Sequence, residues 1–94
     1  MELPIEQIDD FIQKETEQQI DEIFREVFLE IKSRTPIVSG KLEAGWDLQE
    51  NKIKNDVDYA GYVENGTSRM APAAMVASTL NDLDNIIQRV LINS

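Results

Sequence analysis

The chain contains no cysteine and no histidine. Disulfide frameworks, zinc fingers and catalytic pairs built on a Cys or His side chain are therefore excluded. Long apolar runs are also lacking, because no stretch approaches the roughly 18 apolar residues that a membrane span needs. The segment Met1–Pro4 has neither the basic nor the apolar region of a signal peptide, so we expect synthesis and function in a cytoplasm.

Basic residues are scarce, since nine Lys and Arg stand against eighteen Asp and Glu and give a net charge of −9. Residues 1–32 hold ten acidic and three basic side chains, so this third of the chain carries −7. Binding nucleic acid requires clustered Lys and Arg, and the composition therefore disfavours a protein that grips phosphates. Two interpretations of the acidic surface stay open, a solvated helix face that maintains solubility or a surface that repels DNA.

Signatures of catalysis are missing as well. No phosphate-binding loop, dinucleotide-binding motif or nucleophile elbow occurs in the sequence. The carboxylates of Asp9, Asp10, Glu17 and Asp21 fall close together on one predicted helix, but a catalytic carboxylate pair needs a cleft, which a helix face does not offer. We therefore expect no catalytic residue, no metal site and no cofactor, and hence a protein that is not an enzyme.

Proline and glycine are few, and their positions divide the chain into elements. No Gly or Pro follows Pro4 until Pro36, which predicts one long N-terminal helix over residues 4–33. Its apolar residues form two stripes that are separated by the polar run 13–19 and offset by roughly a third of a turn. The first stripe consists of Ile5, Ile8, Phe11 and Ile12, and the second extends from Ile20 to Ile31.

A straight helix cannot easily bury both stripes against one small body. Either the helix bends within residues 13–19, or it is one core helix with a frayed start, or the first stripe docks on a neighbouring subunit. We assign the first stripe to a candidate subunit interface. Residues 1–94 then form a single domain in which residues 1–19 are a helical arm that protrudes or docks on a partner.

The second half of the chain predicts a hairpin followed by helix. Apolar and polar residues alternate over 46–50 and 53–59, on either side of a turn, which is typical of a β-hairpin. Residues 59–65 suit a short helical turn stopped by Gly66, although Asn65-Gly66 also suits a hairpin turn. Pro72 opens a last helix with an apolar stripe from Val76 to Val90. The order predicts an α+β domain with a small antiparallel sheet on which the C-terminal helix packs.

Two segments, one before and one after the predicted hairpin, are dense in residues with special backbone or packing roles. In the first, a Thr-Pro pair precedes Ser-Gly, then a Leu, and a Trp follows. In the second, Tyr-Ala precedes Val-Glu and Gly-Thr, and a Met and a Pro lead into the last helix. The residues concerned are Thr35, Pro36, Ser39, Gly40, Leu42, Trp46, Tyr59, Ala60, Val63, Glu64, Gly66, Thr67, Met70 and Pro72.

This pair of motifs, in this order around a hairpin, resembles the family of neck or tail-completion proteins (minor tail components) of long-tailed double-stranded DNA bacteriophages. The resemblance covers residues 32–80. It implies a structural virion protein at the head–tail interface, assembled in the host cytoplasm. Such a subunit forms a ring, usually sixfold, between the portal complex and the tail tube. Its partners are its own copies and other neck and tail proteins, and DNA passes through without specific binding.

Other interpretations stay open for the function and for the motif. The chain is alternatively a tail terminator that caps the tail tube, or an acidic DNA mimic that regulates a nucleic-acid-binding partner. Within the motif, Gly40 and Gly66 are alternatively turn residues, and the aromatic residues belong to the core. Glu64 and Arg69 join the candidate interface, because charged residues in a tight motif pair with each other or with a neighbouring subunit.

Overall fold

The elements of the fold follow from a computed structural model that describes residues 1–12, 15–37, 40–50 and 52–93, without the side chains of Gln7, Phe11, Ile12 and Asn93. In chain order they are α1 (Glu6–Ile12), α2 (Glu17–Ser33), α3 (Lys41–Ala44), β1 (Trp46–Gln49), β2 (Lys52–Asn55), α4 (Ala60–Asn65), α5 (Met75–Asn81) and α6 (Leu83–Asn93). The predicted α+β class is confirmed. Within the described residues, no helix has the length and apolar character that crossing a bilayer requires.

The N-terminal region forms two helices instead of the single helix predicted over 4–33. Thr16 adopts an extended conformation and caps α2. Its hydroxyl accepts from the Gln19 backbone N–H at 3.2 Å, and the Gln19 side chain accepts from the Thr16 backbone N–H at 3.1 Å. This reciprocal capping box satisfies two amide groups that a helix start would otherwise leave without partners. The helix predicted over 4–33 is therefore interrupted ahead of α2, within the polar run where a bend was one of the predicted alternatives.

The first apolar stripe belongs at least in part to the core of the subunit. Ile8 is 0% exposed, and Leu3 is buried beside it in the same apolar cluster, with Ile5 half-buried against that cluster. The assignment of Ile8 to an exposed interface is therefore wrong, and the arm predicted over residues 1–19 does not protrude over residues 1–12, because Leu3 and Ile8 lie in the core. The predicted offset assumed one unbroken helix, and it does not apply because α1 and α2 are separate helices. The side chains of Phe11 and Ile12 lie outside the described part of the structure.

The predicted hairpin is confirmed, although its second strand is shorter than expected. β1 and β2 pair in antiparallel register, with Trp46 opposite Asn55 and Leu48 opposite Ile53. The second strand ends at Asn55 because the side-chain oxygen of this residue accepts from the Val57 N–H at 3.0 Å, which turns the chain. On its outer edge β2 is covered by the first residues of the chain, where the Leu3 N–H donates to the Ile53 carbonyl at 2.9 Å.

The predicted last helix is divided into two. α5 begins at Met75, three residues after Pro72, because Ala74 takes a left-handed conformation with φ of 49°. α5 ends at Asn81, and α6 then carries the remaining apolar stripe, in which Leu83, Ile87 and Val90 are buried. α6 packs chiefly on α2, and α2 in turn packs on β1. The long helix α2 thus lies between the hairpin and the C-terminal helix.

An ionic cluster holds the C-terminal end of α2 to the junction between α5 and α6. The Arg34 guanidinium contacts the Glu30 carboxylate at 3.2 Å and the Asp82 carboxylate at 2.7 Å, and it donates to the Ser78 carbonyl at 3.0 Å. Arg89 of α6 contacts Glu30 at 2.7 Å. The hydrogen bond from Arg89, opposed by partial burial and reinforced by Arg34, lowers the pKa of the Glu30 carboxyl below its ordinary value.

Candidate functional site

The first motif begins with a buried hydrogen-bond relay at the end of α2. The Thr35 side chain is nearly inaccessible, and its hydroxyl donates to the Ile31 carbonyl at 2.7 Å. The same hydroxyl accepts from the indole N–H of Trp46 at 2.8 Å. Trp46 is the first residue of β1 and is buried, as the core interpretation of the motif aromatics predicts for this residue. The relay fixes the end of α2 to the start of the hairpin, and this defines where the chain continues from the helix into Pro36.

The chain then enters the short helix α3 through a left-handed glycine. Gly40 has φ of 81° and precedes Lys41, where α3 begins, and this conformation is strained for residues with a side chain. Leu42 of α3 is buried, and its carbonyl accepts from the buried Asn55 side-chain amide at 2.8 Å. The motif residue Ser39 lies outside the described residues.

The second motif forms α4 and the tight turn that follows it. Of the two alternatives for residues 59–66, the helical one is correct, because the Gly66 N–H closes the helix by donating to the Tyr62 carbonyl at 2.8 Å. Gly66 has φ of 77°, and a Cβ atom there would lie 2.7 Å from the Met70 carbonyl oxygen. Thr67 and Met70 exchange backbone hydrogen bonds at 2.8 and 3.2 Å, so the chain reverses within four residues.

Glu64 ties the second motif to the start of α5. Its carboxylate accepts from the backbone N–H groups of Val76 at 2.8 Å and Ala77 at 3.1 Å, and its carbonyl accepts from Ala74 at 3.1 Å. Amide groups in the first turn of a helix lack partners within the helix, so this carboxylate acts as a remote cap. Among the described residues no ion pair joins Glu64 to Arg69, so of the two predicted alternatives pairing with each other is not found, and pairing with a neighbouring subunit stays a prediction. Arg69 is exposed on the tight turn.

The two motifs meet around one apolar groove, which we call the motif groove. Its volume is about 330 Å³, and the residues that line it are Pro36, Gly40, Leu42, Tyr59, Val63, Met70, Ala71 and Ala73. Six of these eight are motif residues, although they come from segments that the whole hairpin separates in the sequence. The sequence did not identify Ala71 and Ala73 as site residues, because alanine is common at any position with little space.

Exposed apolar side chains are concentrated at the same place. In the described part of the chain six large apolar residues are exposed, and four of them lie in the groove lining or next to a lining residue in the chain. These four are Ile37, Tyr59, Tyr62 and Met70. Lys41 places its ammonium group 5.9 Å from the Tyr59 ring centroid at the edge of the groove. A clustered patch of exposed apolar side chains is typical of a surface that another molecule covers.

The groove is suited to recognition and offers little for chemistry. None of its eight lining residues is acidic, and none is a Lys, Arg, Ser or Thr. Across the described residues there is no group of three or more Asp and Glu that could hold a metal ion. A larger depression of about 680 Å³ lies between residues 2–6 and the hairpin turn, but it is wide open and lined in part by Glu2, Glu6, Glu50 and Lys52.

Comparison of the chain with models of protein families, with characterised proteins and with solved structures finds no match.

Proposed function

We propose that this chain is a structural subunit of the neck of a long-tailed bacteriophage. It forms a ring between the portal complex and the tail tube, through which DNA passes. The observation that supports the proposal most is the motif groove. Six of the fourteen residues that resemble the neck family line one apolar groove, as expected if the motif serves assembly as well as folding.

The size and charge of the chain are consistent with this proposal. A domain of 94 residues has a small core, and contacts with neighbouring subunits add stability that such a core lacks. Identical subunits that meet head to tail close into a ring when the rotation between them allows it. The acidic side chains of residues 1–32 would weaken any adhesion of DNA to a ring surface on which they lie.

Deletion of the gene from its phage tests the proposed function. We expect filled heads and finished tails to accumulate unjoined, and the purified protein supplied in the extract to restore infectious particles. Tails of abnormal length would instead support the tail-terminator alternative, and normal joined particles would contradict both.

Native mass spectrometry of the purified protein tests the assembly separately. A closed ring, sixfold by analogy with other tails, is the expected species, alone or after addition of its neck partners. A stable dimer that captures a DNA-binding enzyme and inhibits it would favour the DNA-mimic alternative.

A further inference from the structure

The two edges of the small sheet differ. The outer edge of β2 is covered by the start of the chain, because the Leu3 N–H donates to the Ile53 carbonyl at 2.9 Å and the Asn55 N–H also bonds this segment at 2.7 Å. Ile53 and Asn55 thus direct their backbone polar groups away from β1. Leu48 and Trp46, which lie opposite them in the antiparallel register, must likewise direct theirs away from β2.

The outer edge of β1 has no such cover. In the described chain no hydrogen bond reaches the backbone N–H and C=O groups of Trp46 and Leu48. β1 also contains neither Lys nor Pro, two residues by which natural edge strands discourage pairing. The edge therefore offers two donors and two acceptors, at the alternate-residue spacing that an added strand requires.

A depression of about 460 Å³ lies between this open edge and the N-terminal half of α2. Phe24 and Leu48 provide its apolar lining, on which the stem of a long side chain can pack. α2 packs on β1, so every second side chain of a strand added to β1 would point toward α2 and into the depression. The side chains between them would lie on the outer face of the sheet, where Asp47 stands opposite Lys54 and charges of both signs are present.

The depression itself has an excess of negative charge. Its carboxylates are those of Asp21, Glu22 and Glu50, and none of them forms an ion pair in the described structure. Arg25 is the only basic residue of the lining. Cationic side chains are therefore favoured at the positions of an added strand that face α2, and the outer face gives no such preference.

We propose that the outer edge of β1 binds an extended segment of another protein that carries Lys or Arg at alternate positions. Its backbone exchanges hydrogen bonds with Trp46 and Leu48 and adds a strand to the sheet. The stems of its basic side chains pack on Leu48, and their cationic groups reach Asp21 and Glu22. Among the described strands of this chain only β2 alternates lysines, and it is paired on both edges, so a second copy does not supply the segment.

A synthetic peptide tests the proposal. The probe is a blocked hexapeptide that alternates Lys with Thr, added to the isotope-labelled natural chain and followed by NMR. We expect saturable shifts with a dissociation constant of about 1 mM or below, largest at the backbone amides of Trp46 and Leu48. Hydrogen exchange of the Leu48 amide should slow, whereas that of Asp47, whose N–H lies within the ladder, should not change. A peptide that alternates Glu with Thr should bind at least about tenfold more weakly.

Two controls separate strand addition from a general attraction between charges. N-methylation of two successive central residues of the Lys–Thr peptide removes a donor from each of its edges and keeps its charge, so its affinity should fall about tenfold or more. Asp21→Asn should weaken binding of the Lys–Thr peptide about threefold, which corresponds to the loss of one exposed ion pair. Asp84→Asn, on the exposed side of α6, removes the same charge elsewhere and should leave the affinity unchanged. The dispersion of the NMR spectra shows whether both variants are folded.

Other results would overturn the proposal. If the N-methylated peptide binds as tightly as its parent, cations adhere to the acidic surface and the sheet edge is not the site. If the Glu–Thr peptide binds equally well, the occupant is not cationic. Amide shifts of Trp46 and Leu48 that depend on protein concentration without peptide would mean that a second copy pairs with the edge. Absence of binding at about 5 mM Lys–Thr peptide would exclude the site, and none of these results depends on the proposed role in the neck.

Discussion

The Thr35 hydroxyl is the best place to test how the motif supports the fold. Thr35 is 4% exposed, donates to the Ile31 carbonyl and accepts from the Trp46 indole. Thr35→Val keeps the shape of the side chain and removes the hydroxyl. The indole N–H of Trp46, itself buried, is then left without an acceptor, and no water can reach it without opening the core.

The expected loss of stability follows from that unpaired donor. A buried polar group that loses its partner costs about 1–3 kcal/mol, so we expect Thr35→Val to lower the free energy of unfolding by about 2 kcal/mol. With a urea m-value of about 1.5 kcal/mol/M for a small domain, the unfolding midpoint should fall by roughly 1 M. Thr35→Ser is the matched control, because it keeps the hydroxyl and loses one buried methyl group, which is worth about 1 kcal/mol.

A double-mutant cycle isolates the hydrogen bond from the packing. Trp46→Phe removes the donor, so Thr35→Val should cost about 1 kcal/mol less in that background than in the natural chain. Urea unfolding followed by far-UV circular dichroism measures all four proteins, since Trp46 is the only tryptophan and its fluorescence is lost in two of them. Equal costs of Thr35→Val in both backgrounds would refute the relay as the reason for the position.

Three further changes test other parts of the structure. Glu64→Ala removes the carboxylate that accepts from two amide groups of α5, and it should lower the free energy of unfolding in urea by about 0.5–2 kcal/mol. Glu64→Gln should lower it less, because one side-chain oxygen remains as an acceptor. Gly66→Ala should cost about 2 kcal/mol or more, since the left-handed backbone is strained and the new methyl group meets the Met70 carbonyl. Gly61→Ala, in open space within α4, should be neutral or stabilising. Finally, folding lowers the pKa of the Glu30 carboxyl, so its ionised form stabilises the fold. This stabilisation is fully present above the ordinary pKa of 4.5 and is lost as the pH falls through the pKa of the folded state. Arg89→Gln should make the free energy of unfolding depend less on acid, because the Arg89 hydrogen bond is the largest cause of the lowered pKa.

Equal stability of Glu64→Ala and the natural chain would mean that water caps α5 as well as the carboxylate does. If Gly66→Ala and Gly61→Ala were equally stable, the close approach of the turn would carry no energy. An acid unfolding profile that Arg89→Gln leaves unchanged would show that other carboxylates control the acid limb.

The interruption of the N-terminal helix was partly predictable from its sequence. Thr16 and Gln19 have the spacing of a capping box, and the run between the two apolar stripes is polar. What the sequence does not contain is the direction in which α1 leaves α2. That direction is set by packing of Leu3 and Ile8 in the core and by the backbone bond from Leu3 to β2. Because the offset between the two apolar stripes was calculated for an unbroken helix, it wrongly placed Ile8 at an exposed interface.

The motif identified the right residues for the candidate site but not their roles. Glu64 is charged and lies in a tight motif, which favoured an interface, whereas its carboxylate reaches amide groups twelve and thirteen residues further along the chain. Ala74 gives no local sign of a left-handed backbone, because alanine has no preference for that conformation. The Ala74 backbone is held by its hydrogen bond to the Glu64 carbonyl, which lies ten residues earlier in the chain. Sequence patterns that span only a few neighbouring residues cannot predict such a bond.

The motif residues divide into those that shape the groove and those that face into it. Thr35, Glu64 and Gly66 hold three chain segments together through a buried relay, a remote cap and a tight turn. Tyr59 and Met70 are exposed on the surface that results. The shaping residues should therefore affect assembly only through the geometry of the groove. If the groove binds a neighbouring copy, a destabilising change such as Glu64→Ala should weaken assembly although Glu64 does not contact the partner. A second change that restores the stability of the fold should then also restore assembly. Met70→Asp should weaken assembly at full stability, and no stabilising change elsewhere should rescue it.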